Sequence, residues 1–219
     1  SPKGPTSDRL RVVVVDKPNR TQSQIYVGQL APHWRDRHYL PLLIGTMAFG
    51  GTFTSRLMDE VRVKRGLSYG ASARLGNGRG ARGLVCSVMP SAHQTGETLD
   101  LVLRLYREWA EGGLRSDEIA FAKGYLQKSH AFTIQTADDR LALRTRLHVA
   151  GMPESYATDF PARVAAVTDK AVADAMGATL RPGGLVVTLV ATAKQVLPQL
   201  AKIPALKKAD IEVVPYDSF

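Results

Sequence analysis

Hydrophobic and polar positions along the chain follow two periods, and the changes between them predict the elements. Val12 to Val15, inside RLRVVVVDKP, form a β-branched run that reads as a strand ended by Pro18. QSQIYVGQL (22–30) alternates, with Ile25 and Val27 on one face and Tyr26 on the other, so it reads as a second strand. After Pro32 the apolar positions Tyr39, Leu40, Leu43, Ile44 and Met47 recur at steps of one and three, predicting a helix over 36–48. Gly50-Gly51 reads as a flexible break before a second helix over 55–64, with Leu57, Met58 and Val61 inward and Gly66 as its stop.

The period then returns to two. SYGASARLG (68–76) and ARGLVCSVM (81–89) flank the turn Asn77-Gly78-Arg79-Gly80 and predict a hairpin closed by Pro90. Ser91 and Gln94 have capping-box spacing and open an amphipathic helix through Leu99, Val102, Leu103, Tyr106 and Ala110, ended by Gly112-Gly113. Ser116-Asp117-Glu118 places acids in the positive first turn of a helix running to about Gln135, and another follows over 138–150 after Thr136. Pro153 and Pro161 punctuate a shorter helical patch. Thr168 caps a helix over 169–179, and Arg181 to Gly184 turns into the strand LVVTLVAT (185–192). A short helix and a weak strand over 211–214 follow. Without regular βαβ alternation, this order predicts an α+β fold of two layers: helices packed on one face of a largely antiparallel sheet. No repeat or long linker divides the chain, so residues 1–219 read as a single domain.

Composition narrows the classes. At 44% hydrophobic and 22% charged, the chain has the make-up of a folded protein, and its apolar runs are too short for a membrane span. The first residues, SPKGPTSDRL, carry no apolar signal core and no initiator Met, which reads as a piece cut from something longer. A soluble protein is expected, periplasmic or cytoplasmic if bacterial. Cys86 stands alone, so neither an internal disulfide nor a cysteine-based zinc knuckle is available. The net charge of +9 is concentrated: residues 54–82 hold Arg56, Arg62, Lys64, Arg65, Arg74, Arg79 and Arg82 against Asp59 and Glu60. Such a segment suits an anionic or carbonyl-rich partner, or simply a solvated rim. Few aromatics interleave with it, so no nucleic-acid stacking platform is visible.

Several motif matches lack the context that their chemistry requires. Gly66-Leu67-Ser68-Tyr69-Gly70 fits the nucleophile elbow G-x-S-x-G, but here a helix precedes the serine and a strand follows, the reverse of an elbow. GNGRGA (76–81) fits a dinucleotide fingerprint, but a strand stands where the pyrophosphate needs a helix N-terminus. His33, His38, His93, His130 and His148 include no HExxH or HxxEH pair, so no metal site is expected in this chain. Arg62 and Tyr69 remain. A guanidinium fork at a helix end and a phenol at the next strand can both donate to a peptide carbonyl or to an oxyanion, and neither can act as nucleophile. By themselves, these residues favour the plainer assignment: Tyr69 alternates into the core and Arg62 is a surface charge.

A longer resemblance changes that balance. FGGTFTSRLMDEVRVKRGLSYGASA (49–73) closely resembles the signature of the second, non-zinc lobe in the insulysin/pitrilysin/mitochondrial-processing-peptidase family. DKPNRTQSQIYVGQLAP (16–32) and SDEIAFAKGYLQKSHAF (116–132) are similar to the segments on either side, and the order of elements agrees up to LVVTLVA (185–191). The resemblance implies one lobe of a two-lobe zinc endopeptidase. Zinc and the general base would sit on the complementary lobe, elsewhere in a longer chain or in a partner subunit. Arg62 and Tyr69 match, in type and spacing, the pair that reaches across to a peptide or unfolded polypeptide substrate. Lys64 and Arg65 also match, with structural or rim roles expected. Lacking HxxEH, this chain alone is expected to hold no catalytic zinc and to cleave nothing. The family also includes non-catalytic scaffold subunits of the same fold, which is the alternative.

Overall fold

The computed structural model describes residues 9–77 and 82–218. In chain order the elements are β1 (Arg11–Asp16), β2 (Gln24–Ala31), α1 (Tyr39–Thr46), α2 (Arg56–Met58), β3 (Ser68–Leu75), β4 (Arg82–Pro90) and α3 (Thr95–Ala110). They continue with α4 (Ser116–His130), α5 (Ala137–Ala150), α6 (Tyr156–Ala166), α7 (Asp169–Thr179), β5 (Val186–Ala191), α8 (Ala193–Leu200) and β6 (Asp210–Pro215). Among the described residues six strands form one sheet in the order β3-β4-β2-β5-β1-β6. Pairings β3–β4, β4–β2 and β2–β5 are antiparallel, whereas β1 lies parallel to both β5 and β6. The fold is α+β as expected, with a mixed sheet whose two parallel pairings are both made by β1.

Alternation dictates which face is covered. Ala73, Cys86, Val27, Val187 and Val12 share one cross-strand row, and Ala71, Val88, Ile25, Leu189 and Val14 the next. All ten are buried. At about 1.5–3 kcal/mol for each fully buried large aliphatic side chain, these rows are a main source of stability. The opposite face exposes Tyr26, Met89 and Val186, so the helices form the second layer on one side only. Gln29 ties the layers together. It accepts from the Tyr106 hydroxyl (2.8 Å) and from the Arg181 N–H (2.7 Å), and donates to Thr179 O (2.8 Å). Among the described residues no helix is long and apolar enough to cross a membrane.

Three local expectations change. The first helix starts at Tyr39 and continues as a π-helical turn over Met47–Gly51, so the glycine pair lies inside it and is not a break. Close approach explains Gly50: a Cβ there would come within 2.6 Å of both the Ala73 Cβ and the Ala73 N of β3. This turn also stacks Phe49 on Trp109 of α3, with centroids 4.4 Å apart and planes 4° from parallel. Ser91 and Gln94 bond to each other, side chain to side chain (2.6 Å), instead of capping backbone groups, and a 3₁₀ turn over Ala92–Gln94 precedes α3. The helix from Ser116 ends at His130 in a 3₁₀ turn over Ala131–Ile134.

Other caps fall where the sequence puts them. Thr136 and Thr168 accept from Asp139 N and Ala171 N, each at 3.1 Å. The α6 helix runs through Pro161, whose missing N–H leaves Ala157 O without its helical donor. His130 Nε2 donates to that oxygen at 2.6 Å. From the same side of α4, Gln127 donates to Pro161 O (3.0 Å) and Lys123 to Val167 O (2.6 Å). The turn residues Gly78 to Gly80 lie outside the described residues, but Gly76 N donates to Gly83 O (2.9 Å) across the hairpin base.

Candidate functional site

Three devices in series bring Arg62 and Tyr69 together. First, α2 passes into a π-helical turn over Asp59–Val63, with Leu57, Met58 and Val61 buried beneath. Arg56 anchors the start of α2: its Nε donates to Glu118 Oε1 (3.0 Å), and Nη2 bonds Glu118 Oε2 and Gly113 O. That ion pair is largely out of solvent, the side chains being 14% and 12% exposed. Second, Gly66 stops the helix with φ +62°, a conformation that costs a side-chain-bearing residue energy. Its N–H reaches Arg62 O (3.0 Å), and the Leu67 N–H reaches Val61 O (2.9 Å).

The third device is a β-bulge. Ser68 pairs with Pro90 and Ala71 with Val88, so β3 has one residue more than β4 across this interval. Uninterrupted alternation would put Tyr69 on the buried face with Ala71 and Ala73. The extra residue turns Ser68 inward, at 5% exposure, and leaves Tyr69 outside, at 85%. Ser68 Oγ donates to Gly70 O (2.7 Å) and accepts from the Met89 N–H (3.0 Å), holding the bulge from both strands. The core position weighed for Tyr69 is therefore not the one it occupies. The serine of G-x-S-x-G is committed to structure.

The Arg62 guanidinium carbon stands 4.6 Å from the centroid of the Tyr69 ring, a cation–π contact. Among the described residues Arg62 makes no ion pair, unlike its basic neighbours. Lys64 bonds Glu60 (2.6 Å) and lies 3.0 Å from Asp59, while Arg65 bonds the other Glu60 oxygen. Hydrogen bonds from Lys64 and then Arg65 hold the Glu60 carboxyl below its ordinary range. Arg56, Lys64 and Arg65 are thus held by carboxylates, whereas Arg62 is left for other work. A half-buried guanidinium fork beside an exposed phenol can donate to one carbonyl oxygen or one developing oxyanion. Neither group is a base or a nucleophile. The pair can bind and polarise but needs reacting groups from another surface.

The histidines do not converge. His33 accepts from Arg35 N (3.1 Å), His38 lies 3.0 Å from Asp36, and His130 serves α6. No group of three or more His, Cys, Asp or Glu positioned to hold a metal ion occurs among the described residues. After GNGRGA comes strand β4, not a helix, so the dinucleotide fingerprint lacks its anion site. Cys86 is buried, which pushes its thiol up to about 12. Sequence reasoning missed the part played by Ser68. Its available signal was Gly70, since a glycine inside a strand pattern often marks a bulge.

The comparisons follow this geometry. The pattern of the family described as "Peptidase M16 inactive domain" matches residues 1–126. An uncharacterized zinc protease of Streptomyces coelicolor is 34% identical over 152 residues, covering 67% of this chain and 32% of that protein. A non-peptidase homolog of Helicobacter pylori is 27% identical over 107 residues, covering 49% of this chain and 25% of its own length. The chain thus spans about a third or less of these relatives. Among solved structures, the peptidase M16 inactive domain of Pseudomonas fluorescens superposes with TM-score 0.76 at 24% identity, covering 84% of this chain and 43% of the other. A protease of Helicobacter pylori gives TM-score 0.72 at 14% identity, covering 85% and 45%. These structural likenesses concern the fold. With more than half its length matched by one family pattern, the chain belongs to the peptidase M16 inactive-domain family.

Proposed function

We propose that this chain is the substrate-binding lobe of a zinc metalloendopeptidase, working against a zinc-bearing lobe in the rest of a longer protein or in a partner subunit. The observation that carries this reading is the Arg62–Tyr69 pair: a guanidinium carbon 4.6 Å from the phenol ring centroid, the arginine without an ion pair among the described residues and the tyrosine turned outward by a bulge. Arg62 and Tyr69 hold the substrate carbonyl and the negative charge that develops on it, while the nucleophile and its activation come from the zinc-bearing lobe. Closure of that lobe removes water from the pair and strengthens both hydrogen bonds. The relationship to a zinc protease of Streptomyces coelicolor supports the peptidase reading. A non-catalytic scaffold of the same fold is the second reading, favoured by the relationship to the non-peptidase homolog of Helicobacter pylori.

The test uses the assembled protein, with its zinc lobe, cleaving an unstructured polypeptide. Losing one oxyanion donor costs on the order of a hundredfold or more in turnover, so Tyr69→Phe and Arg62→Ala should each lose about that much with the lobe still folded. Near-normal turnover in both variants refutes the assignment. An assembled, zinc-loaded parent protein that cleaves nothing supports the scaffold.

A further inference from the structure

A cavity of about 540 Å³ lies where α4, α5 and α6 meet the segment that follows β2. Its walls are apolar, including Leu43, Leu126, Leu147 and Phe160, with Trp34 beside them. Two arginines, Arg82 of β4 and Arg146 of α5, join this lining, and no carboxylate does. Among the described residues neither arginine side chain makes a hydrogen bond or an ion pair. Nearby arginines are engaged: Arg144 pairs with Glu154 (3.1 Å), and Arg140 donates to Ile134 O (3.2 Å). The Trp34 indole N–H is buried without an acceptor among the described residues. His130 Nε2 is committed to Ala157 O, so the histidine contributes its ring, 5.0 Å from that of Phe160.

We infer that this cavity binds a small amphipathic anion: an apolar chain ending in one carboxylate. The chain lies among the leucines and Phe160, and the head is held by Arg82 and Arg146, guanidinium forks suited to a carboxylate. The volume falls within the roughly 300–1,000 Å³ of small-molecule sites. A peptide backbone fits less well, because the α4, α5 and α6 walls use their main-chain groups internally and offer no sheet edge for pairing. The site is separate from Arg62 and Tyr69. Asn77 and Arg82 line the cavity at the opposite end of the β3–β4 hairpin, about 25 Å from Tyr69 at ~3.3 Å per strand residue. The inference therefore stands or falls independently of the peptidase reading.

Decanoate is the probe, titrated calorimetrically into the intact chain below its micelle concentration, with decanol and decylamine as controls of equal length. Saturable binding of one decanoate per chain is expected, at least about tenfold tighter than either control. Exchanging both arginines (Arg82→Gln with Arg146→Gln) should weaken decanoate by about tenfold or more and leave decanol unchanged. Leu143→Trp should abolish binding by filling the cavity with both arginines present. If that variant does not fold, Thr133→Phe, at an exposed lining residue, makes the same test. Absence of saturable binding, equal affinity for decanol and decanoate, or indifference to the arginine exchange overturns the proposal.

Discussion

Ser68→Ala tests whether the bulge, and with it the outward position of Tyr69, depends on one hydroxyl. The substitution removes an oxygen that accepts from the Met89 N–H (3.0 Å) and donates to Gly70 O (2.7 Å). Gly70 is partly exposed, so water can replace the second bond. The Met89 N–H, in β4 between β2 and β3, donates in a part-buried bond and loses its protein partner. An unsatisfied buried donor costs about 1–3 kcal/mol, and at ~2–4 °C per kcal/mol for a chain of this size the melting temperature should fall by about 2–12 °C. Urea unfolding measures the loss, and native-state hydrogen exchange locates it. Protection should fall at Tyr69, Gly70 and Met89 before the centre of the sheet is affected. Ser68→Thr keeps the hydroxyl and should recover part of the stability, limited by its extra methyl. If Ser68→Ala matches the parent in both stability and exchange at these amides, the backbone alone fixes the bulge and the reasoning is wrong.

The ion pair beneath α2 makes a larger prediction: Glu118→Ala strands the Arg56 guanidinium and should cost up to about 3–5 kcal/mol in urea unfolding, and a loss below ~1 kcal/mol would show that the pair is dispensable. Glu60 links stability to acid. Because its carboxyl is held below the ordinary 4.5, its contribution is complete above that pH and is lost as pH falls through the lower folded value. Glu60→Gln should therefore flatten the acid limb of the stability–pH curve, and an unchanged limb contradicts the link. Cys86, with its thiol pushed up to about 12, should resist an aromatic disulfide reagent at about pH 8 and react only as the chain unfolds, whereas rapid labelling of the native protein would contradict its burial.

Much of the fold was legible because the relevant signals are local. Val12–Val15 is a β-branched run, Ile25 and Val27 alternate against Tyr26, and Thr136 and Thr168 are caps recognisable from neighbouring residues alone. Strand neighbours were not legible, since alternation assigns a face and says nothing about which strand lies alongside; the parallel pairing of β1 follows from that gap. The same limit applies to charge. Arg56 looked like part of a basic excess because Glu118 lies 62 positions away in sequence. Arg62 and Tyr69 were readable through resemblance, whereas elementary alternation pointed Tyr69 the wrong way. One extra residue at Ser68–Ala71 inverts that prediction, and Gly70 was the only local mark of it.

The placement of β1 has a consequence for how the chain becomes ordered. The β2–β4 ladder joins Ile25 to Val88, a separation of 63 positions that can close as soon as β4 has been made. In contrast, β1 takes its ladder bonds from β5 and β6, pairing Arg11 with Val186 and with Asp210. Closing loops of that length slows folding, and on the ribosome neither partner exists until 175 or more positions beyond Arg11 have been made. The valine run of β1 must therefore be kept from other strand edges while the antiparallel part assembles. Of the six described strands of this sheet, the one made first is among the last to be secured.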